Sequence, residues 1–277
     1  MKTKSLLTIL LCLAAIIGKA QIMNEDNSRT TIEAQIESHP HSVDNDPTDG
    51  KIFGHVHASH NFIPSRTTKF GINGRYEANN GGNAYFRFGL KGAQTFMLKN
   101  RKCIVVNANV YGEASPHAVE HIDGHAAGFY MYSLSMEKQA GIGLIALVNN
   151  PSRIPCVPIF MYRKQLTPKS RLDFATYLAA YSYDLSPKVR LSAGYTMHSD
   201  RFWLKTDDGK RCLDNKSLFT PQVALQWKPA KPLSVSISAG YGLVMNHKLY
   251  NSKGTHRVAE LSKKSTPYFA ARVSLNL

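Results

Sequence analysis

The chain has 277 residues, with 34 Lys and Arg against 19 Asp and Glu and four cysteines. That length holds one large all-β domain or two ordinary ones, and so few thiols exclude a disulfide framework. The formal charge of +15 suits nucleic acid, an anionic lipid or a soluble surface; with an export signal and no Arg/Lys-rich block, nucleic acid is not the expected partner.

The first elements are those of a secretory signal peptide at 1–20. Lys2 and Lys4 form a basic start, Leu6 to Ile17 an apolar run too short to span a bilayer, and Gly18-Lys19-Ala20 a small-residue cleavage site. Leu10-Leu11 before Cys12 lacks the small residue of a lipidation site. Removal of the three lysines of this segment leaves +12 of the +15, and Cys103, Cys156 and Cys212 as the remaining thiols. Residues 21–29 are expected to form a short periplasmic segment, too brief for a plug domain.

From Thr31 the dominant period is two, which marks half-buried strands. Ile32, Ala34 and Ile36 alternate with Thr31, Glu33, Gln35 and Glu37; Phe70, Ile72 and Tyr76 oppose Lys69, Asn73 and Arg75. Val189, Leu191, Ala193, Tyr195 and Met197 oppose Arg190, Ser192, Gly194, Thr196 and His198, and Leu233, Val235, Ile237 and Ala239 oppose a row of serines. The last strand runs to the final residue, with Phe269, Ala271, Val273, Leu275 and Leu277 on one face. Aromatic residues recur at strand ends: Phe62, Tyr76, Phe96, Tyr132, Tyr162, Tyr183, Trp227 and Tyr268. Membrane girdles would sit there.

A terminal strand that ends at the last residue with alternating apolar positions resembles the C-terminal signal of Gram-negative outer-membrane barrels. That family usually ends in an aromatic residue, where this chain has Leu277. The pattern is similar to that of uncharacterised outer-membrane β-barrel families. The resemblance implies an all-β, transmembrane antiparallel β-barrel over 30–277 in the outer membrane of a Gram-negative bacterium. It also implies contact with outer-membrane lipid and lipopolysaccharide, and engagement of the barrel-assembly machinery through the C-terminal strand.

Such barrels have short periplasmic turns, longer outer loops and an even strand number. Short connections are expected near Ile63–Arg66, Leu98–Lys102, Glu137–Gln139, Leu166–Ser170, Leu185–Lys188 and Pro229–Pro232. Longer ones are expected near His39–Gly50, Ala78–Asn83, Ser115–Ala126, Asn149–Pro155, Ser199–Lys216 and Asn246–Ser265. The phrases QLTPKSRL and YDLSPKVRL both read as tight turns on one side, because Pro beside small polar residues closes a hairpin and cannot lie inside a paired strand. Arg171–Asp184 between them must then rise and fall as two short strands with a reversal near Tyr177–Ala180. The count is about 14 strands; read as one strand, with the chain before Lys51 as a tail, the alternative is 12.

The alternation directs Lys69, Arg75, Arg87, Lys91, Arg190 and Arg272 inward, together with Glu33, Glu37, Glu77, Glu113 and Glu137. Mixed signs suit cross-strand ion pairs bracing a wall better than a one-signed filter. The remaining positive charge falls in outer loops, where lipopolysaccharide would meet it. Histidines cluster: His55 and His57 share a face, and His117, His121 and His125 punctuate one expected outer loop. Imidazoles at close quarters hold Zn or Cu, so these five are the candidate metal ligands and a metal- or haem-binding barrel is one alternative. No HExxH or CxxC accompanies them. An outer-membrane lipid hydrolase is a second alternative, on His57-Ala-Ser59 and His198-Ser199-Asp200. His198 and Ser199 point to opposite faces, and no acid completes His57 and Ser59, so no catalytic residue is assigned. Strand glycines such as Gly141, Gly143 and Gly194 read as bends and close-packing sites, and Cys156 with Cys212 as a conceivable loop-pinning disulfide. The leading expectation is passive, porin-like passage or surface binding of a small solute, without catalysis or cofactor.

Overall fold

The computed structural model describes residues 30–38, 52–79, 84–115, 118–135, 137–148, 156–205, 211–251, 256–260 and 265–277. The leader and the 21–29 segment, and the greater part of the expected 39–50, 78–83 and 149–155 loops, lie outside them. The strands are β1 (Thr30–Ser38), β2 (Ile52–Phe62), β3 (Thr68–Asn79), β4 (Ala84–Met97), β5 (Cys103–Ser115), β6 (Ala118–Leu134), β7 (Lys138–Val148) and β8 (Cys156–Thr167). They continue as β9 (Ser170–Ala175), β10 (Leu178–Ser186), β11 (Val189–Lys205), β12 (Arg211–Ala230), β13 (Leu233–Tyr250), β14 (Arg257–Glu260) and β15 (Thr266–Asn276).

Each strand from β1 to β13 pairs antiparallel with the next, and β15 closes the ring between β13 and β1. Fourteen strands form the wall. The four-residue β14 adds to the outer end of β13, with Lys248 opposite Glu260, and is not part of the ring. The fourteen-strand reading of the sequence is the observed one, and Arg171–Asp184 does reverse, at Thr176-Tyr177 between β9 and β10.

The two repeated proline phrases are the same device. Ser186 Oγ accepts hydrogen bonds from the amides of Lys188 (3.3 Å) and Val189 (3.1 Å), and Thr167 Oγ1 accepts one from Lys169 (3.2 Å). Both ladders shift register immediately before that hydroxyl residue, which bonds the turn amides that the proline leaves to it. At the 98–102 turn, Asn100 and Arg101 take positive φ (60° and 56°), the left-handed pair that a tight hairpin requires.

The alternation sorts the two faces of the wall. Leu90, Val110, Ile142, Leu144, Val223 and Ile237 lie exposed on the outside, and Phe62, Phe70, Phe96, Tyr132 and Trp227 flank them near the short-turn end. No water-facing wall exposes so continuous an apolar belt, whereas hydrocarbon requires one about 25 Å tall. The belt is the membrane-facing surface. Tyr268 corrects the girdle assignment: it points inward, 6% exposed, and donates to Glu37.

Two expected outer loops are largely strand, and a third is so in part. Residues 118–126 belong to β6, β11 runs to Lys205 and β12 starts at Arg211, and β13 continues to Tyr250. A tilted strand climbs about 2.5 Å per residue along the axis, so roughly ten residues cross the hydrocarbon. The 17-, 20- and 18-residue β11, β12 and β13 therefore project well beyond it.

The ladder between β1 and β2 registers one pair, Thr30 with His60. Side chains hold the rest of this seam: Thr30 Oγ1 meets His60 Nδ1 at 2.9 Å, Ile32 packs with Val56, and Glu33 lies 4.0 Å from His55.

Candidate functional site: the barrel lumen

The inward parity of the strands makes the lumen chemically uneven. Part of β5 to β10 carries an apolar cluster on its inner face. Register rows place Cys103 beside Met131, Gly141, Met161 and Ala175, and Val105 beside Phe129, Gly143 and Ile159. Phe129 and Met131 are each 4% exposed, so side chains fill this side of the barrel. Glycine is needed opposite them: a Cβ at Gly141 would stand 2.5 Å from Met131 Sδ, and one at Gly143 would stand 2.2 Å from the Gly128 carbonyl oxygen.

The rest of the lumen is polar and holds two spaces, of 510 Å³ and 570 Å³. Both are lined by Thr196, Gln222 and Ala224, where they meet.

The larger space is braced by paired charges. Arg87 Nη2 donates to Glu113 Oε1 at 2.6 Å and its guanidinium lies 4.6 Å from the Tyr111 ring, while Tyr111 Oη donates to Asp123 at 3.3 Å. Arg75 pairs with Glu77. Arg272 donates to Gln35 at 2.9 Å and lies 3.6 Å from Glu33; Glu37 accepts from Gln35 (2.9 Å) and Tyr268 (3.0 Å). These bonds tie β1 to β15 across the junction of the two chain ends. Lys91 lines the same space and has no carboxylate partner among the described residues.

The smaller space lies towards the short turns. Arg163 Nε and Arg171 Nε donate to the two oxygens of one carboxylate, Asp173, at 2.5 Å and 2.7 Å. Arg190 grips Asp184 with Nε and Nη2 at 2.6 Å and 3.1 Å. Ser182 and Ser192 share a 2.9 Å hydrogen bond between them.

The inward assignments of Arg75, Arg87, Lys91, Glu33, Glu37, Glu77, Glu113, Arg190 and Arg272 agree with the register. Glu137 does not: it lies exposed in the turn before β7. Sequence reasoning missed Arg163, Arg171 and Asp173, although a signal was present. The hairpin closed at 168–169 sets Arg163 opposite Asp173 and Gln165 opposite Arg171.

His55 and His57 are on the luminal face of β2, and His125 lies on the luminal face of β6. The His121 position sits in β6 opposite Glu113, in a register row that runs through Arg87 and Arg75 to His57. That row spans four strand spacings, about 19 Å, too far for one metal ion. His117 lies outside the described residues, and among those described no three His, Cys, Asp or Glu residues converge. His57 and Ser59 share the luminal face, and Ser59 Oγ is buried with no hydrogen-bond partner among the described residues, His57 included. Cys103, Cys156 and Cys212 are free thiols, so the conceivable loop-pinning bridge is not formed.

A closed antiparallel wall, apolar outside and polar within, is the architecture of a transmembrane β-barrel. No family model matches the chain, and no curated protein matches it. Among solved structures it is similar to the KdgM porin (7% identity, TM-score 0.40, 89% of this chain and 99% of that one). It is also similar to the COG4313 outer membrane channel from Pseudomonas putida F1 (10%, 0.44, 93% and 100%) and to the NanC porin (9%, 0.43, 90% and 100%).

Proposed function

We propose that this barrel is an outer-membrane channel of a Gram-negative bacterium that lets small hydrophilic solutes pass passively, without catalysis. The observation that carries the reading is the pair of polar spaces that meet beside Thr196, Gln222 and Ala224 inside a wall whose outer face is apolar. Eight-stranded barrels fill with side chains and sixteen-stranded ones leave an aqueous channel. With fourteen strands and an apolar cluster along β5 to β10, a narrow passage remains against the polar side. Lipopolysaccharide at the basic outer loops and the assembly machinery at β15 are the partners this reading assigns.

Liposome swelling tests it. Vesicles containing the refolded protein should swell in isosmotic small sugars and amino acids, with rates falling steeply as solute size rises. Rates equal to those of empty vesicles, with the barrel demonstrably folded, would reject passage and leave surface binding of a solute.

A further inference from the structure

The smaller luminal space carries more cation than its own carboxylates use. Arg163, Arg171, Arg190 and Lys228 all line it, against Asp173 within it and Asp184 on Arg190. Asp173 is shared by two guanidiniums, each reached through Nε. Arg171 has no bond from its terminal nitrogens, and Lys228 has no ion pair, among the described residues. The five strands β8 to β12 that supply these groups are consecutive, so the cations form one arc about 19 Å long. Neutral polar groups line the same space beside them: Ser182, Ser192, Gln226, Ser234 and Asn276.

We propose that this end of the lumen is a binding site for small organic oxyanions, carboxylates or phosphates, held by Arg171 and Lys228 with Arg163 and Arg190 beside them. A guanidinium fork matches two oxygens of a carboxylate or phosphate, and an ammonium adds a mobile point charge. The hydroxyl and amide groups complete the oxyanion's hydrogen bonds. The space of 510 Å³ admits a short dicarboxylate and excludes a polymer coil. Its place at the short-turn end, periplasmic on the reading above, makes it the last station of an inward-moving solute, where weak retention biases passage towards anions.

The test is calorimetric titration of the refolded protein in detergent with succinate and, separately, inorganic phosphate, at fixed ionic strength. Saturable binding of at least one is expected, with none for glucose. Binding of succinate alone would point to a carboxylate solute, and of phosphate alone to a phosphorylated one. The double variant Arg171→Gln, Lys228→Gln should weaken it about tenfold or more, because Asp173 keeps Arg163 and the wall stays paired. Lys91→Gln, a luminal cation outside the arc, should change it less than twofold. Heat-modifiable mobility checks that each variant is folded. No saturable binding to the folded wild type, an unchanged double variant, or an equal loss in Lys91→Gln would overturn the site. Anion binding without solute passage would leave the site standing and reject the channel; passage without binding would do the reverse.

Discussion

Arginine at Ile142 separates a bilayer-facing wall from a water-facing one. Ile142 lies on β7 four residues above its start, 58% exposed on the outer face, between Tyr130 and Phe160 in the register rows. At about 2.5 Å of height per residue it sits near the middle of a belt about 25 Å tall. A cation there loses its hydration, at a cost of about 2–4 kcal/mol for Arg near the bilayer midplane. With tenfold per 1.4 kcal/mol, the folding equilibrium in lipid falls roughly 30- to 700-fold. In water the same exposed position tolerates Arg within about 0.5 kcal/mol. Equilibrium urea unfolding in lipid vesicles, followed by tryptophan emission, reads the difference. Gln222→Arg on the polar luminal side is the control and should stay within about 1 kcal/mol. An Ile142→Arg barrel as stable as the wild type would refute the assignment of the outer face.

Glu113→Ala should destabilise by about 3 kcal/mol in the same assay, since Glu113 is 1% exposed and the change removes the carboxylate to which Arg87 Nη2 donates; Arg87→Met with Glu113→Leu should recover most of that loss. Ser186→Ala removes two turn hydrogen bonds and should cost about 1 kcal/mol, measurable as a lower urea midpoint with unchanged slope. Amides of 30–38 and 52–62 that face the β1–β2 seam, where one ladder pair is registered while the other edges are fully paired to β15 and β3, should exchange ahead of those of 189–205 and 211–227, which are paired throughout; equal protection would contradict a weak seam.

The sequence was most legible where the bilayer imposes its rule. Between the two belt edges an outward residue must be apolar, so period two is visible in β11, β13 and β15 and the turns fall where proline and hydroxyl residues stand. Above the belt that constraint ends. Ala118-Val119-Glu120-His121 continues the ladder with β5 although its sequence carries no apolar alternation; 199–205 and 211–216 likewise extend the ladder between β11 and β12. The apolar cluster around Phe129 and Met131 was hidden for the opposite reason. There both faces of β6 and β7 are apolar, and only Gly141 and Gly143, which make room for the inward side chains, mark which face is which. Tyr268 was misread because a belt aromatic and a luminal hydrogen-bond donor look alike until Glu37 is placed opposite. The site itself was half visible: single inward charges follow from parity, but that Arg163 and Arg171 share Asp173 depends on cross-strand register, which the hairpin turn sets.

The account rests on an open, polar passage through the fourteen-strand wall. Single-channel recording of the refolded protein in planar bilayers tests it most directly, in a salt gradient and with Zn²⁺ added afterwards. The predicted result is steady unitary current with an anion-leaning reversal potential. A folded, inserted barrel that stays silent at all voltages would contradict it.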